Sequence, residues 1–199
     1  MRKAEVKRTT KETSIELALC LDGSARTKVK TGCGFLDHML TLLSVHGRFD
    51  LMIRAKGDQR VDDHHLVEDT GLCLGQAFQE ALETTEGMNR YGTALVPMDE
   101  SLARIVLDFS GRPLTVFYAE FSREKVGTFD TELVEEFFRA FSATGKATLH
   151  AEVLYGKNTH HQIEALFKAL GRALREAVDQ SGHYDGVPSS KGVIRGEMT

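Results

Sequence analysis

The sequence predicts an α+β fold made of two similar halves, each with the element order β-β-β-α-β-α. In both halves, segments in which apolar and polar residues alternate, as in strands, are followed by segments with apolar residues at helical spacing. The last helix of each half also begins with nearly the same residues, HHLVE at 64–68 and HHQIE at 160–164. Internal repetition on this scale indicates a duplicated domain.

In the first half, the turn dipeptide Asp22-Gly23 predicts a hairpin between the second and third strands. Gly47 follows the first helix, as glycine often follows a helix end. Acidic residues lie in the first turn of the second helix, where they favour the helix dipole. The predicted strands are residues 5–10, 14–21, 25–30 and 49–55, and the predicted helices are residues 35–46 and 62 or 63 to 82.

The same order starts again after Gly87, and residues 111–113 are predicted to turn between two strands. The predicted strands of the second half are residues 93–97, 102–109, 114–121 and 147–154, and its predicted helices are residues 132–141 and 159–178. We therefore divide the chain into a first half at 1–87, a second half at 88–182 and a tail at 183–199, all in one compact domain. The tail is rich in glycine, serine and proline, which predicts flexibility unless a contact holds it.

Composition excludes several classes of function. The formal net charge of -4 argues against a nucleic-acid partner, and no apolar run is long enough to span a membrane. The charged N-terminus has no apolar signal region, so we expect a cytoplasmic protein. Three cysteines without a C-x-x-C pair predict packing residues, so a metal site would depend on histidine and carboxylate.

The two repeated segments have the residue types and spacing of transition-metal ligands. On a helix, His64 and Glu68 share a face while His65 points elsewhere, and His160, His161 and Glu164 repeat this geometry. We expect two metal sites, each supplied by both halves or by adjacent subunits. Chance pairing of histidines is the alternative, and three matched ligand-type positions (His, His and Glu) in register with the repeat argue against it.

The first helix of each half offers further ligands, His38 in the first half and Glu136 near the matching position in the second. Mixed nitrogen and oxygen ligands suit manganese, iron or zinc, and the carboxylates favour the harder ions. His150 and His183 are isolated in the sequence and are interpreted as structural or surface residues, with His46 intermediate.

Three basic residues lie in contexts that suit an anion: Arg90 between the halves, Arg112 in a turn, and Lys191 in the tail. Arginine forks and serine hydroxyls at turns are suited to a phosphate monoester. Each residue taken alone is more often a solvated surface charge. No phosphate-loop or dinucleotide fingerprint is present, so no nucleotide is expected.

Taken together, several motifs resemble the monofunctional form of imidazoleglycerol-phosphate dehydratase over residues 8–192. The motifs that carry the resemblance are residues 35–40 (FLDHML), 62–69 (DDHHLVED), 110–113 (SGRP), 156–164 (GKNTHHQIE) and 188–192 (PSSKG). The resemblance implies an enzyme of histidine biosynthesis that converts D-erythro-imidazole glycerol phosphate to imidazole acetol phosphate and water. It also implies two manganese ions per active site, which hold the substrate ring as an imidazolate.

The resemblance further implies helices packed between two four-stranded mixed sheets, and a large hollow homo-oligomer of cubic symmetry with active sites at subunit interfaces. Catalytic roles would fall on Glu12 and Lys168. The implied metal ligands are His38, His64, His65, Glu68, His160, His161 and Glu164, with Glu136 as a further candidate. The implied substrate-binding residues are Glu12, His46, Arg90, Arg112, Lys168, Ser189, Ser190 and Lys191.

Two residues depart from the family pattern. Glu136 stands where many members have histidine, which adds negative charge to that site, and Leu42 replaces a glutamine that contacts the substrate in some members.

Two other functions use similar ligands, namely a dinuclear metallohydrolase acting on a phosphate ester and a metal-storage cage. Release of inorganic phosphate would favour the hydrolase, and many ions per chain would favour storage.

Overall fold

The first half of the chain forms four strands and two helices in the predicted order. We analysed a computed structural model, which describes residues 1–82, 85–181, 186–190, 192 and 194. The elements of this half are β1 (Lys3–Thr9), β2 (Ser14–Cys20), β3 (Thr27–Lys30), α1 (Gly34–Gly47), β4 (Asp50–Lys56) and α2 (His64–Ala81).

The second half repeats this order with one small addition, a two-stranded hairpin ahead of its first helix. The strands of this hairpin have two residues each, too few to show a period in the sequence. The elements are β5 (Tyr91–Met98), β6 (Ser101–Asp108), β7 (Leu114–Tyr118), β8 (Lys125–Val126), β9 (Phe129–Asp130), α3 (Leu133–Gly145), β10 (Thr148–Tyr155) and α4 (Thr159–Val178).

Two four-stranded mixed sheets have matching topologies, β1-β2-β4-β3 and β5-β6-β10-β7. In each sheet the third strand of the half pairs parallel with the fourth, and the other pairs are antiparallel. The predicted hairpin at Asp22-Gly23 is therefore wrong, because β4 lies between β2 and β3. Asp50, the first residue of β4, accepts hydrogen bonds from the N–H groups of Ser24 (2.8 Å) and Arg26 (3.0 Å) and so holds this crossing connection.

The four helices lie between the sheets, which confirms the predicted α+β architecture. Helices α1 and α2 pack on the first sheet, α3 and α4 on the second, and the two layers meet as α1 against α4 and α2 against α3. Phe78 of α2 joins the halves within one apolar core, since its ring lies 5.2 Å from that of Phe49 and 5.5 Å from that of Phe141.

Paired glycines allow the helices of the two layers to approach closely. A Cβ atom at Gly75 would overlap the Phe141 carbonyl oxygen and lie 2.8 Å from the Gly145 nitrogen. In the other pair, a Cβ atom at Gly171 would overlap the Leu43 carbonyl oxygen and lie 3.0 Å from the Gly47 nitrogen. The two contacts occupy equivalent positions, so the halves are related residue by residue.

Gly47 therefore has a different role from the predicted one. Helix α1 ends at Gly47, but the residue with the left-handed backbone of a helix cap is Arg48, with φ of 57°. Lys146 takes the same conformation after Gly145 at the end of α3. Glycine is needed at Gly47 because a side chain there would overlap the Phe49 ring, whereas a Cβ atom at Gly145 would make only ordinary contact with Gly75.

Strand register fixes further equivalences between the halves. Leu17 lies opposite Val6 and Ile53, as Ile105 lies opposite Ala94 and Ala151. The turn residue Glu12, five before Leu17, therefore corresponds to Glu100. By the same reasoning from the helix ends, His38 of α1 corresponds to Glu136 of α3, as the sequence alignment of the halves suggests.

Replacing Gly171 with alanine should destabilise the fold by about 1–3 kcal/mol, because the added methyl group must displace the α1 backbone. Gly34→Ala is the matched control, since a Cβ atom there has nothing within 4 Å. Thermal unfolding at equal protein concentration should show a lower midpoint for the first variant and an unchanged or higher midpoint for the second. Equal midpoints for both variants would contradict the close-packing account.

Candidate metal centre and active site

The two histidine pairs lie in the first turns of α2 and α4, where polar side chains fix the start of each helix. Asn158 Oδ1 accepts hydrogen bonds from the N–H groups of His160 (2.9 Å) and His161 (3.4 Å). Asp62 Oδ1 accepts from the His64 N–H in the equivalent place, at 2.8 Å. These bonds satisfy amides that a helix start leaves without partners, and they set the direction of both pairs.

His38, His160 and Glu164 form a group that could hold a metal ion. Glu164 Oε2 lies 3.1 Å from His160 Nε2 and 3.4 Å from His38 Nε2, and the three donor atoms lie within 4.8 Å of one another. Among the residues that the structure describes, no other three histidine, cysteine or acidic residues meet this condition. Two imidazole nitrogens and a carboxylate oxygen are a suitable donor set for manganese, iron or zinc.

Glu164 is the buried member of this group, while both imidazoles are open to solvent. Its other carboxylate oxygen, Oε1, lies 2.5 Å from Lys168 Nζ. Burial alone would raise the pKa of Glu164, but the bond and charge of Lys168, with His160 and His38, hold it below the ordinary value. The carboxylate is therefore ionised at neutral pH and directs one oxygen towards the two imidazoles.

The equivalent group on the other side of the duplication consists of Glu136, His64 and Glu68. Because α2 packs on α3 as α4 packs on α1, Glu136 occupies the position of His38, and His64 and Glu68 those of His160 and Glu164. All three side chains are partly exposed. This second group has two carboxylates where the first has one, so it carries more negative charge.

The second histidine of each pair faces away from its neighbour and towards the sheet hairpin of its own half. His65 Nδ1 lies 3.1 Å from Asp58 Oδ2, and its Nε2 lies 3.9 Å from Glu12 Oε1. His161 Nδ1 lies 2.7 Å from Glu100 Oε2. These carboxylate bonds raise the pKa of both imidazoles in the metal-free chain. The structure thus separates His65 and His161 from the group that contains His38.

Glu12 lies on an exposed turn that is anchored to α2 by an ion pair between Arg8, which is exposed, and Asp69, which is buried. The Asp69 carboxylate is buried, accepts a hydrogen bond from Arg8 Nε at 2.8 Å, and also accepts one from the Thr13 hydroxyl. Thr10 completes the turn by accepting from the Thr13 N–H at 2.9 Å. The sequence analysis did not predict this anchor. The one available signal was the position of Asp69, which directly follows the ligand candidate Glu68.

The candidate phosphate-binding residues lie at the opposite end of the second half. Arg90 N–H donates to the Ala177 carbonyl in the last turn of α4 at 2.8 Å, whereas His160 lies in the first turn. At 1.5 Å per residue these turns are about 25 Å apart. Arg112 lies near Arg90. The Phe109 N–H, just after the end of β6, donates to the Arg90 carbonyl at 3.2 Å, and Arg112 follows three residues later.

The Arg90 guanidinium is held by the Asp108 carboxylate and by the backbone of the tail. Its Nε and Nη2 atoms donate to the Asp108 carboxylate at 2.6 and 3.0 Å, and its Nη1 donates to the Pro188 carbonyl of the tail at 2.9 Å. Ser189 and Ser190 follow Pro188 and are therefore brought next to Arg90, whereas Lys191 lies outside the described residues. This part of the tail is docked on the fold.

His46 and Lys168 belong to the contact between α1 and α4. Burial lowers the pKa of His46 below its ordinary value, and the charges of Lys168 and Arg172 lower it further. Lys168 Nζ also contacts the Met98 sulfur at 3.3 Å. Leu42, on the same helix as His46, is partly buried against the core. His150 lies on the exposed outer face of the second sheet, and His183 lies outside the described residues.

The fold and these groups define a class: an internally duplicated α+β protein with an imidazole–carboxylate group near its helix N-termini that could hold a metal ion. A family profile described as imidazoleglycerol-phosphate dehydratase (IGPD) matches residues 31–174. The chain is 57% identical to the imidazoleglycerol-phosphate dehydratase of Bacillus thuringiensis (strain Al Hakam) over 194 residues, 98% of this chain and 100% of the relative.

Solved structures agree with this match. The crystal structure of imidazoleglycerol-phosphate dehydratase from Staphylococcus aureus has a TM-score of 0.81 and 46% identity, over 88% of this chain and 98% of that one. The crystal structure of IGPD from Pyrococcus furiosus in complex with (S)-C348 has a TM-score of 0.82 and 37% identity, over 94% of this chain and 99% of that one. The chain belongs to the imidazoleglycerol-phosphate dehydratase family and is a hydro-lyase of histidine biosynthesis. No helix in the described parts of the chain could cross a membrane.

Replacing Lys168 with methionine should raise the pKa of His46, because one of the two nearby cations is removed. The pKa should stay below the ordinary value, since burial is the larger cause. An NMR titration of the His46 ring in metal-free protein measures this, with the exposed His150 ring as the internal reference. An unchanged His46 pKa would mean that the Lys168 charge does not reach this imidazole.

Proposed function

We propose that this protein converts D-erythro-imidazole glycerol phosphate to imidazole acetol phosphate and water, with two manganese ions per active site. The observation that carries the proposal is the group of His38, His160 and Glu164, whose donor atoms lie within 4.8 Å of one another. The duplication supplies a second, equivalent position at Glu136, His64 and Glu68. His65 and His161 would complete the ligand set from their separate directions.

Manganese suits this donor set because carboxylate oxygens accompany the imidazoles at both positions. Bound ions would act as Lewis acids that favour the imidazolate form of the substrate ring. The electron-rich ring can then release the hydroxyl group from the carbon next to it. A proton leaves the neighbouring carbon, and the enol that results becomes the ketone, so that one water is lost.

Glu12 is the proposed base for this proton. Its side chain is 53% exposed, on the turn beside His65, and its contact with the imidazole is a long 3.9 Å. The carboxylate is therefore not held by a strong bond and can reach a substrate proton. Lys168, beside the buried Glu164, would stabilise developing negative charge, and His46 lies next to it as a proposed substrate contact.

A complete site would require two copies of the chain. The proposed metal ligands lie at the N-terminal ends of the helices, about 25 Å from Arg90 at the C-terminal end of α4. A substrate with an imidazole ring and a phosphate joined by three carbons cannot span that distance. We therefore propose that Arg90, Arg112 and the tail bind phosphate for the metal centre of a neighbouring subunit, within a large homo-oligomer.

The tail at 183–199, after two halves at 1–87 and 88–182, would bring Ser189, Ser190 and Lys191 to the phosphate. A docked Pro188 supports this role, since its carbonyl accepts a hydrogen bond from Arg90. A cytoplasmic location is proposed from three buried cysteines that form no disulfide, as is usual in a reducing compartment.

The direct test is to follow ketone formation from imidazole glycerol phosphate by chelator-treated protein, with and without added manganese. The proposal expects no ketone before manganese is added and ketone afterwards. Release of inorganic phosphate instead of ketone would favour a phosphate-ester hydrolase. Absence of ketone with manganese demonstrably bound would refute the proposed reaction.

Glu12→Gln should reduce turnover by at least about 100-fold, the usual scale of a lost general base, while substrate binding changes little. The amide keeps the size of the side chain but cannot take a proton. Measuring kcat in the steady state and substrate affinity by calorimetry separates the two effects. Glu16→Gln is a matched control, because Glu16 is an exposed glutamate on β2. Equal losses of turnover and affinity would remove Glu12 from the role of base.

Mixed assemblies test the two-copy site. Arg112→Ala should inactivate the phosphate end of one subunit, and Glu164→Gln should inactivate the metal end of another. If each site combines both ends, assemblies formed from a mixture of the two variants should regain part of the wild-type activity. Each variant assembled alone should stay inactive. No recovery in demonstrably mixed assemblies would mean that each chain contains its whole site.

A further inference from the structure

Two equivalent glutamates lie in different surroundings in the two halves. The turns that carry them have the same length, because Thr9 pairs with Ser14 around one turn and Pro97 pairs with Leu102 around the other. Glu12 of the first turn is 3.9 Å from Nε2 of His65. Its counterpart Glu100 instead lies 2.7 Å from Nδ1 of the equivalent His161. The duplicated carboxylates therefore contact different nitrogens of equivalent rings.

Glu100 is fully occupied by its hydrogen bonds. Oε1 accepts from the N–H groups of Lys157 at 3.0 Å and Asn158 at 2.8 Å, and from the Ser101 hydroxyl at 3.0 Å. Oε2 accepts from His161 Nδ1. Glu100 thus joins the β5–β6 turn to the segment that enters α4 and holds the imidazole from one side.

In the first half a different residue makes the equivalent bond. Asp58 faces His65 Nδ1 with both carboxylate oxygens, at 3.1 and 3.2 Å. Asp58 belongs to the connection at residues 57–63 between β4 and α2, whereas the corresponding connection before α4 comprises only residues 156–158. The longer connection supplies a carboxylate that the second half lacks, so Glu12 is not needed to hold His65.

We propose that Glu100 and Asp58 are positioning residues, which bind Nδ1 of His161 and His65 and leave Nε2 of each ring as the donor atom for a metal ion. Because Asp58 binds Nδ1 of His65, Glu12 does not have the positioning role that its counterpart Glu100 has at His161. This inference rests on the proposed function, in which both histidines are metal ligands. A carboxylate on one ring nitrogen fixes the tautomer and orientation of a ligating histidine, and it raises the basicity of the other nitrogen.

Two measurements on the full-length protein test the proposal without relying on turnover. Free manganese, counted by electron paramagnetic resonance, gives the affinity of the chelator-stripped protein for the ion. Solid-state 15N NMR of histidine-labelled protein shows which ring nitrogen of His161 carries the proton before any metal is added. Ketone formation is measured separately, so failure of the proposed reaction and failure of this inference can be distinguished.

Glu100→Ala should weaken manganese binding by about 10- to 100-fold and shift the His161 proton away from Nδ1. Glu100→Gln should also weaken binding and disturb the His161 bond, because an amide has one accepting oxygen, and its NH2 group would face either Nδ1–H or the N–H groups of Lys157 and Asn158. Asp58→Ala should weaken binding and shift the His65 proton in the same way, whereas Asp58→Asn should stay close to wild type, because its amide oxygen can still accept from Nδ1–H. Glu12→Ala is the matched control, and it should leave affinity and both tautomers unchanged.

Wild-type manganese affinity in Glu100→Ala would overturn the proposal. An equal loss of affinity in Glu12→Ala would also overturn it, because the two equivalent glutamates would then act alike. A third contrary result is weaker binding in Glu100→Ala while His161 keeps its proton on Nδ1, since the residue would then act through folding alone.

Discussion

The close contact between helices of opposite layers is the constraint on which the rest of this structure depends. Gly171 lets the α4 backbone meet the end of α1, and this contact sets the distance between His38 and the pair of His160 and Glu164. Gly75 makes the equivalent contact between α2 and α3. A larger side chain at either glycine would separate the helices, and the proposed ligand groups near their N-terminal ends would move apart with them.

The duplicated frame has diverged mainly in its polar side chains. The first half has the ion pair of Arg8 and Asp69 beneath its turn, where the second half has the apolar Val96 and Ala165. Lys168, which holds Glu164, has no charged counterpart, since Leu72 occupies that position in α2. One half therefore carries an anchored, exposed glutamate and the other a lysine-held carboxylate, so the symmetric frame presents different polar groups in its two halves.

Sequence patterns predicted the element order well, because periodicity is a local property. The repeated HHxxE spacing also pointed to His160 and Glu164, which the structure brings together with His38. They could not predict that β4 lies between β2 and β3, since the turn residues Asp22-Gly23 suit a crossing connection as well as a hairpin. They also could not show that Arg90 and His160 lie at opposite ends of α4. That distance follows from the hydrogen bond between the Arg90 N–H and the Ala177 carbonyl, which joins residues far apart in the sequence. Asp58 and Glu100 were missed because their partners lie in other elements.

The central claim is that the duplication builds two equivalent metal positions at the helix N-termini. Anomalous diffraction at the manganese absorption edge, from crystals of the protein loaded with manganese, tests it most directly. The account predicts one peak beside His38, His160 and Glu164 and a second beside Glu136, His64 and Glu68, related by the pseudosymmetry of the halves. A single peak, or peaks away from both groups, would contradict it.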